Sequence, residues 1–149
     1  MARSWFVAGI AAGFVSGILL VAFAAFEDAR TGQPASATYT YLATAVGGST
    51  LGEGAAAVPI GVAALFAGTL LWSFGYLYAA RRQPQLLTRP LISGAVFGII
   101  VWLVMQSELA LVGRFISPTT YTFDRDMVAF ILFFGVPLAF TASRVLHAK

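Results

Sequence analysis

Residues 5–26 read WFVAGIAAGFVSGILLVAFAAF, a run in which Ser16 carries the single polar side chain. A helix needs about 20 mostly apolar residues to cross the hydrocarbon of a bilayer. Three further stretches meet that length: about Val58–Ala80, Leu91–Val112 and Met127–Leu146. Strands of a membrane barrel would alternate over segments of about ten residues. These runs are continuous and twice as long. Helices and closed barrels are the only backbones that satisfy their polar groups in lipid, so the reading is all-α, a polytopic four-helix transmembrane bundle. Arg3 and Ala22-Phe23-Ala24 imitate a signal peptide, but the apolar stretch exceeds the usual 7–15 residues, and a retained first span is expected.

Composition agrees. Of 149 residues, 59% are hydrophobic and 10% charged, against about 25% charged in soluble domains. Mean hydropathy is +0.85. The net charge of +3 does not read as nucleic-acid binding, because the basic residues stand singly or in pairs between apolar runs rather than along one solvated face. Without cysteine there are no disulfides, thiolate metal sites or covalent haem attachments.

Charge placement sets an expected orientation. With the N-terminus inside, Arg3, Arg81, Arg82, Arg89, Arg144 and Lys149 are internal, and Arg30, Arg114 and Arg125 external, as the positive-inside rule prefers. Both termini are then cytoplasmic. Every acid (Glu27, Asp28, Glu53, Glu108, Asp124, Asp126) falls outside or at the outer boundary. Trp5, Trp72, Tyr76 and Tyr78 fall toward the inner boundary, where aromatic belts sit. The short inner loop, Arg81 to Pro90, predicts a tight antiparallel pair of spans two and three.

The first outer loop, about Glu27 to Ala57, opens on Thr31-Gly32-Gln33-Pro34, which is turn chemistry. Ser36 is placed to cap a short helix running through Val46 and stopping at Gly47-Gly48. That helix is too short to span and is expected in the interface. Glu27, Asp28 and Arg30 read as a solvated helix end.

Glycines mark the helix faces. Gly9, Gly13 and Gly17 form one small-residue face, and Gly94 and Gly98 a shorter one. Gly61, Gly68 and Gly75 recur every seven residues, a spacing suited to left-handed packing. Between helices in lipid, close backbone approach supplies the packing. These faces serve either the chain's own bundle or another subunit. Phe130 and Phe134 on span four face lipid or fill grooves on a partner. Gly13–Leu20 also resembles Gly94–Val101 in pattern, through either a parallel duplication or the convergence of Gly-xxx-Gly sequences.

Reaction chemistry is sparse. The one histidine is His147, so bis-histidine haem ligation is excluded. No His/Asp/Glu cluster has metal spacing. Gly47-Gly48-Ser49-Thr50 lacks the lysine of a phosphate-binding loop. Catalytic, cofactor and metal residues are therefore expected to be none. Gln106 and Glu108 near the outer end of span three, with Arg114 beyond, form a possible polar site. Pro137 is placed to kink span four and free a carbonyl.

Phe74-Gly75-Tyr76-Leu77-Tyr78, a basic proline-containing turn and Leu91-Ile92-Ser93-Gly94-Ala95-Val96-Phe97-Gly98 together resemble the small four-span bacterial inner-membrane proteins of the YagU-like kind. The resemblance covers about a third of the chain. It implies a bacterial inner-membrane protein and no particular reaction.

The expectation is a non-catalytic accessory or assembly subunit of a larger membrane complex, for instance a respiratory or photosynthetic one. Its partners would be membrane lipid and other integral subunits, with no nucleic acid and no soluble substrate. The alternative is a small oligomeric transporter or channel lined by Ser16, Ser73, Gln106 and Glu108. A membrane enzyme ranks last, because no base–nucleophile pair is present.

Overall fold

The computed structural model describes residues 2–111 and 123–147, and the side chains of 4–107 and 125–146. The described backbone is helical, without strands. Its elements are α1 (Ala2–Arg30), α2 (Ala37–Gly47), α3 (Ser49–Gly52), α4 (Ala57–Arg82), α5 (Gln85–Thr88), α6 (Pro90–Leu111), α7 (Phe123–Ala129), a π-helical segment (Phe130–Gly135) and α8 (Val136–His147). The last three run on as one span. Four helices are long and apolar enough to cross a membrane, and their outer surface is apolar too. Leu71, Phe6, Ile18, Leu91 and Ile92 are each more than half exposed, a surface that suits lipid contact.

Helix ends follow local chemistry. At the end of α1, Gly32 takes φ +74°. The amide of Gln33 donates to the Asp28 carbonyl at 2.8 Å and that of Gly32 to Ala29 at 3.2 Å. This paired arrangement stops a helix where glycine accepts the left-handed conformation. Pro59 falls in the first turn of α4 and Pro90 opens α6, positions where the missing amide costs nothing.

The helices alternate in direction. A step of four residues up α1, through Gly9, Gly13 and Gly17, meets a step of four down α4, through Phe74, Leu70 and Phe66. This is i±4 ridge-into-groove packing of antiparallel neighbours. Around the bundle the order is α4, α1, last span, α6. The loop-connected pair α4 and α6 is thus not the tight pair that loop length predicts. Trp72 and Tyr76 of α4 meet Phe97 of α6 with ring centroids 6.2 and 5.2 Å apart, and rings of this size hold the two backbones apart. Close approach occurs instead where the facing residues are small. Ala8 and Ala12 of α1 share one fully buried cluster with Leu138, Ala139 and Ala142 of α8.

The π segment has a local cause. Pro137 has no amide to give, and one residue earlier the Val136 amide bonds to the Ile131 carbonyl, an i to i−5 bond. The wider turn lays the Gly135 backbone against Gly94 and Gly98 of α6.

The two ends differ in charge. Trp5 and Arg81 meet at one end, the guanidinium 4.9 Å from the ring centroid. At the other, Glu27 reaches Arg125 at 3.3 Å. Arg81, Arg82, Arg89 and Arg144 belong to the first, basic end. Glu27, Asp28, Glu53 and Asp126 belong to the second, acidic end.

Candidate functional site

The glycine faces divide into closed and open. On α1, a methyl built on Gly9 would come within 2.5 Å of the Phe74 ring, on Gly13 within 2.8 Å of Leu70 Cδ2, and on Gly17 within 2.6 Å of the Phe66 ring. This face is filled by the chain itself. On α6, the contact is backbone to backbone. A methyl on Gly94 would stand 2.6 Å from the Gly135 carbonyl oxygen, and one on Gly98 2.7 Å from that of Phe130.

On α4, the seven-residue series is split. Gly61 is buried against the backbone of Tyr39 in α2. Gly68 and Gly75 have nothing within 4 Å of a built methyl. Between them Leu71 is 71% exposed, and Tyr78 beyond is 60% exposed. Phe134, expected at lipid or a partner, is instead turned inward. It is 1% exposed and lies 6.3 Å from the Phe97 ring and 6.0 Å from that of half-buried Phe130. The π segment carries these two rings to the inside of the crossing with α6.

Polar side chains within the spans bond to backbone carbonyls. Ser16 donates to Phe134 at 3.2 Å, in the turn next to Pro137. The Ser73 hydroxyl oxygen lies 2.8 Å from the carbonyl oxygens of both Gly9 and Leu70. Thr69 donates to Phe66 at 3.0 Å. A buried hydroxyl in lipid needs such a partner.

At the basic end, Tyr76 is a core residue rather than part of an aromatic belt, with 1% exposure. Its hydroxyl donates to the Leu86 carbonyl at 3.0 Å and lies 2.9 Å from the Ser93 hydroxyl. Ser93 reaches the same carbonyl at 2.6 Å. Ser143 of α8 donates to the next one, Leu87, at 2.8 Å. The loop between α4 and α6 is thereby tied to three helices. Ser93 and Ser143, the polar residues near the start of one span and the end of another, are the only sequence signal for these ties.

At the acidic end, the solvated-end reading of Asp28 is corrected. Asp28 is 6% exposed. It accepts the Thr38 amide at 3.0 Å and the Thr38 hydroxyl at 2.9 Å. The first turn of α2 is thus served by a carboxylate from α1, a favourable charge at a helix N-terminus, while Ser36 makes no side-chain cap. Tyr39 reaches the Val21 carbonyl at 2.8 Å. Burial pushes the Tyr39 phenol above its ordinary pKa, as does the nearby Asp28 charge, so the hydroxyl keeps its proton for that bond. Glu27 bridges Arg30 at 2.9 Å and Arg125 at 3.3 Å.

Of the possible polar site, Gln106 is half-buried near the end of α6. The side chains of Glu108 and Arg114 lie outside the described residues. Among the described residues, no group of three or more His, Asp or Glu side chains is arranged to hold a metal ion. No family model matches the chain, and no curated protein or solved structure matches it.

Proposed function

We propose that the chain is a non-catalytic accessory or assembly subunit of a larger membrane complex, docking through the α4 face that carries Gly68 and Gly75. The observation that carries this reading is the open space over both glycines. In lipid a helix gains little from exposing glycine, whereas a second helix gains close backbone contact there. The opposite side of α4 is already occupied by α1, and α2 covers this side at Gly61, so an incoming helix would complete the packing along Gly68 and Gly75.

The pore or carrier reading has less support. It requires Ser16 and Ser73 to face a shared polar path, yet both hydroxyls are taken up by carbonyls of neighbouring helices. In this proposal the basic end faces the cytoplasm, with both termini there, and the membrane is a bacterial inner membrane. The positive-inside preference supports the first placement, and the YagU-like resemblance the second.

The test is purification of the full chain from its native membranes in mild detergent, followed by mass spectrometry. The expected result is stoichiometric recovery of another integral membrane protein with the native chain and its loss with Gly75→Leu, both chains retaining the same helicity. Recovery of the native chain as a free monomer overturns the proposal.

A further inference from the structure

The basic end holds a second surface, which meets the α4 face at Arg82 and Tyr78. Arg81, Arg82, Arg89 and Arg144 are all exposed. Among the described residues none pairs with a carboxylate, because both ion pairs, Glu27 with Arg30 and with Arg125, stand at the opposite end. Two of the four are positioned by aromatic rings. Arg81 lies over Trp5. Arg82 lies 5.1 Å from the centroid of Tyr78 and donates to its hydroxyl at 2.8 Å.

The scaffold beneath them is fixed. The loop that connects Arg82 to Arg89 has two successive carbonyls, Leu86 and Leu87, bonded by hydroxyls from α4, α6 and α8. Arg144 follows directly on Ser143, the α8 residue in that set. Unpaired positive charge is therefore gathered on a pre-ordered rim, and pre-ordering reduces what a ligand loses on binding. Exposed apolar side chains follow directly on Arg89 in α6, with Leu91 and Ile92 at 60% and 62% exposure. A ligand that fits has an anionic head and hydrocarbon chains in register with it.

We propose that this rim binds the phosphate headgroup of an anionic phospholipid, with the acyl chains lying on the apolar surface of α6 beside Leu91 and Ile92. Each basic residue near an anionic membrane surface contributes about a fivefold gain in binding.

The experiment is native mass spectrometry of the full chain from micelles containing equimolar phosphatidylglycerol and phosphatidylcholine. The native chain retains phosphatidylglycerol in preference. Arg82→Gln, Arg89→Gln and Arg144→Gln combined reduce that preference by about a hundredfold, whereas lysine at the same three positions preserves it, which separates charge from misfolding. Arg30→Gln with Arg125→Gln leaves it unchanged. Equal retention of the two lipids by the native chain, equal loss in the glutamine and lysine variants, or displacement of the lipid by inorganic phosphate at matched concentration overturns the proposal.

Discussion

The glycines of α1 and those of α4 share a residue type and a regular spacing, yet they meet opposite surroundings. Gly9, Gly13 and Gly17 lie under Phe74, Leu70 and Phe66 of the same chain, whereas Gly68 and Gly75 face open space. The difference comes from the partner helix. An i±4 glycine groove is closed when a neighbour offers an i±4 ridge of large side chains, and α4 offers one on the side turned to α1. On the other side of α4, α2 covers Gly61, and no described element offers such a ridge to Gly68 and Gly75. A glycine face therefore reports that close approach is possible, and the complementary ridge decides who approaches.

The contrast between closed and open faces can be broken by substitution. The largest effect is expected at the α6 crossing. Leucine at Gly98 would meet the Phe130 carbonyl and the Ile131 backbone, which cannot turn aside as a side chain can. Overpacking costs about 1–3 kcal/mol where side chains can adjust, so Gly98→Leu should cost at least about 3 kcal/mol. Gly13→Leu should fall within that range, since Leu70 gives partly through its side chain. Unfolding by sodium dodecyl sulfate, followed by circular dichroism in detergent, measures both. Equal stability of Gly98→Leu and the native chain would remove the backbone crossing from the fold.

A smaller effect sharpens the same contrast. Ser73→Ala removes the hydrogen bond to Gly9 and should cost about 0.6 kcal/mol, the usual worth of such a bond between helices in lipid. Leucine at Gly75 should stay within about 0.5 kcal/mol of the native chain, as substitutions away from any contact do. The same unfolding assay ranks the two. A cost at Gly75 larger than that at Ser73 would mean that the α4 face is not open.

The four long helices were legible because composition and run length answer to the solvent, and lipid leaves few alternatives to a helix. Pro137 was legible as a disturbance. What the resulting π segment does, pressing Gly135 onto Gly94 and Gly98, depends on a facing helix that the local sequence does not specify. Asp28 was misread for a similar reason. Beside Glu27 and Arg30 it looks like one more charge at a helix end, and its partner Thr38 becomes a neighbour only after the chain turns at Gly32. Tyr76 illustrates the same limit: an aromatic near a span end suggests a belt, but Ser93 and the Leu86 carbonyl draw its hydroxyl inward. The sequence placed Gly9 and Gly75 in the same category, and only the positions of Phe74 and its neighbours separate them.

The claim that α4 receives another protein is tested most directly by photo-crosslinking in native membranes. A photoreactive amino acid is introduced at Gly75 and, as a buried control, at Tyr76. Position 75 should give adducts with a different integral membrane polypeptide and position 76 none. Adducts with lipid alone, or with a second copy of this chain alone, from position 75 would contradict it.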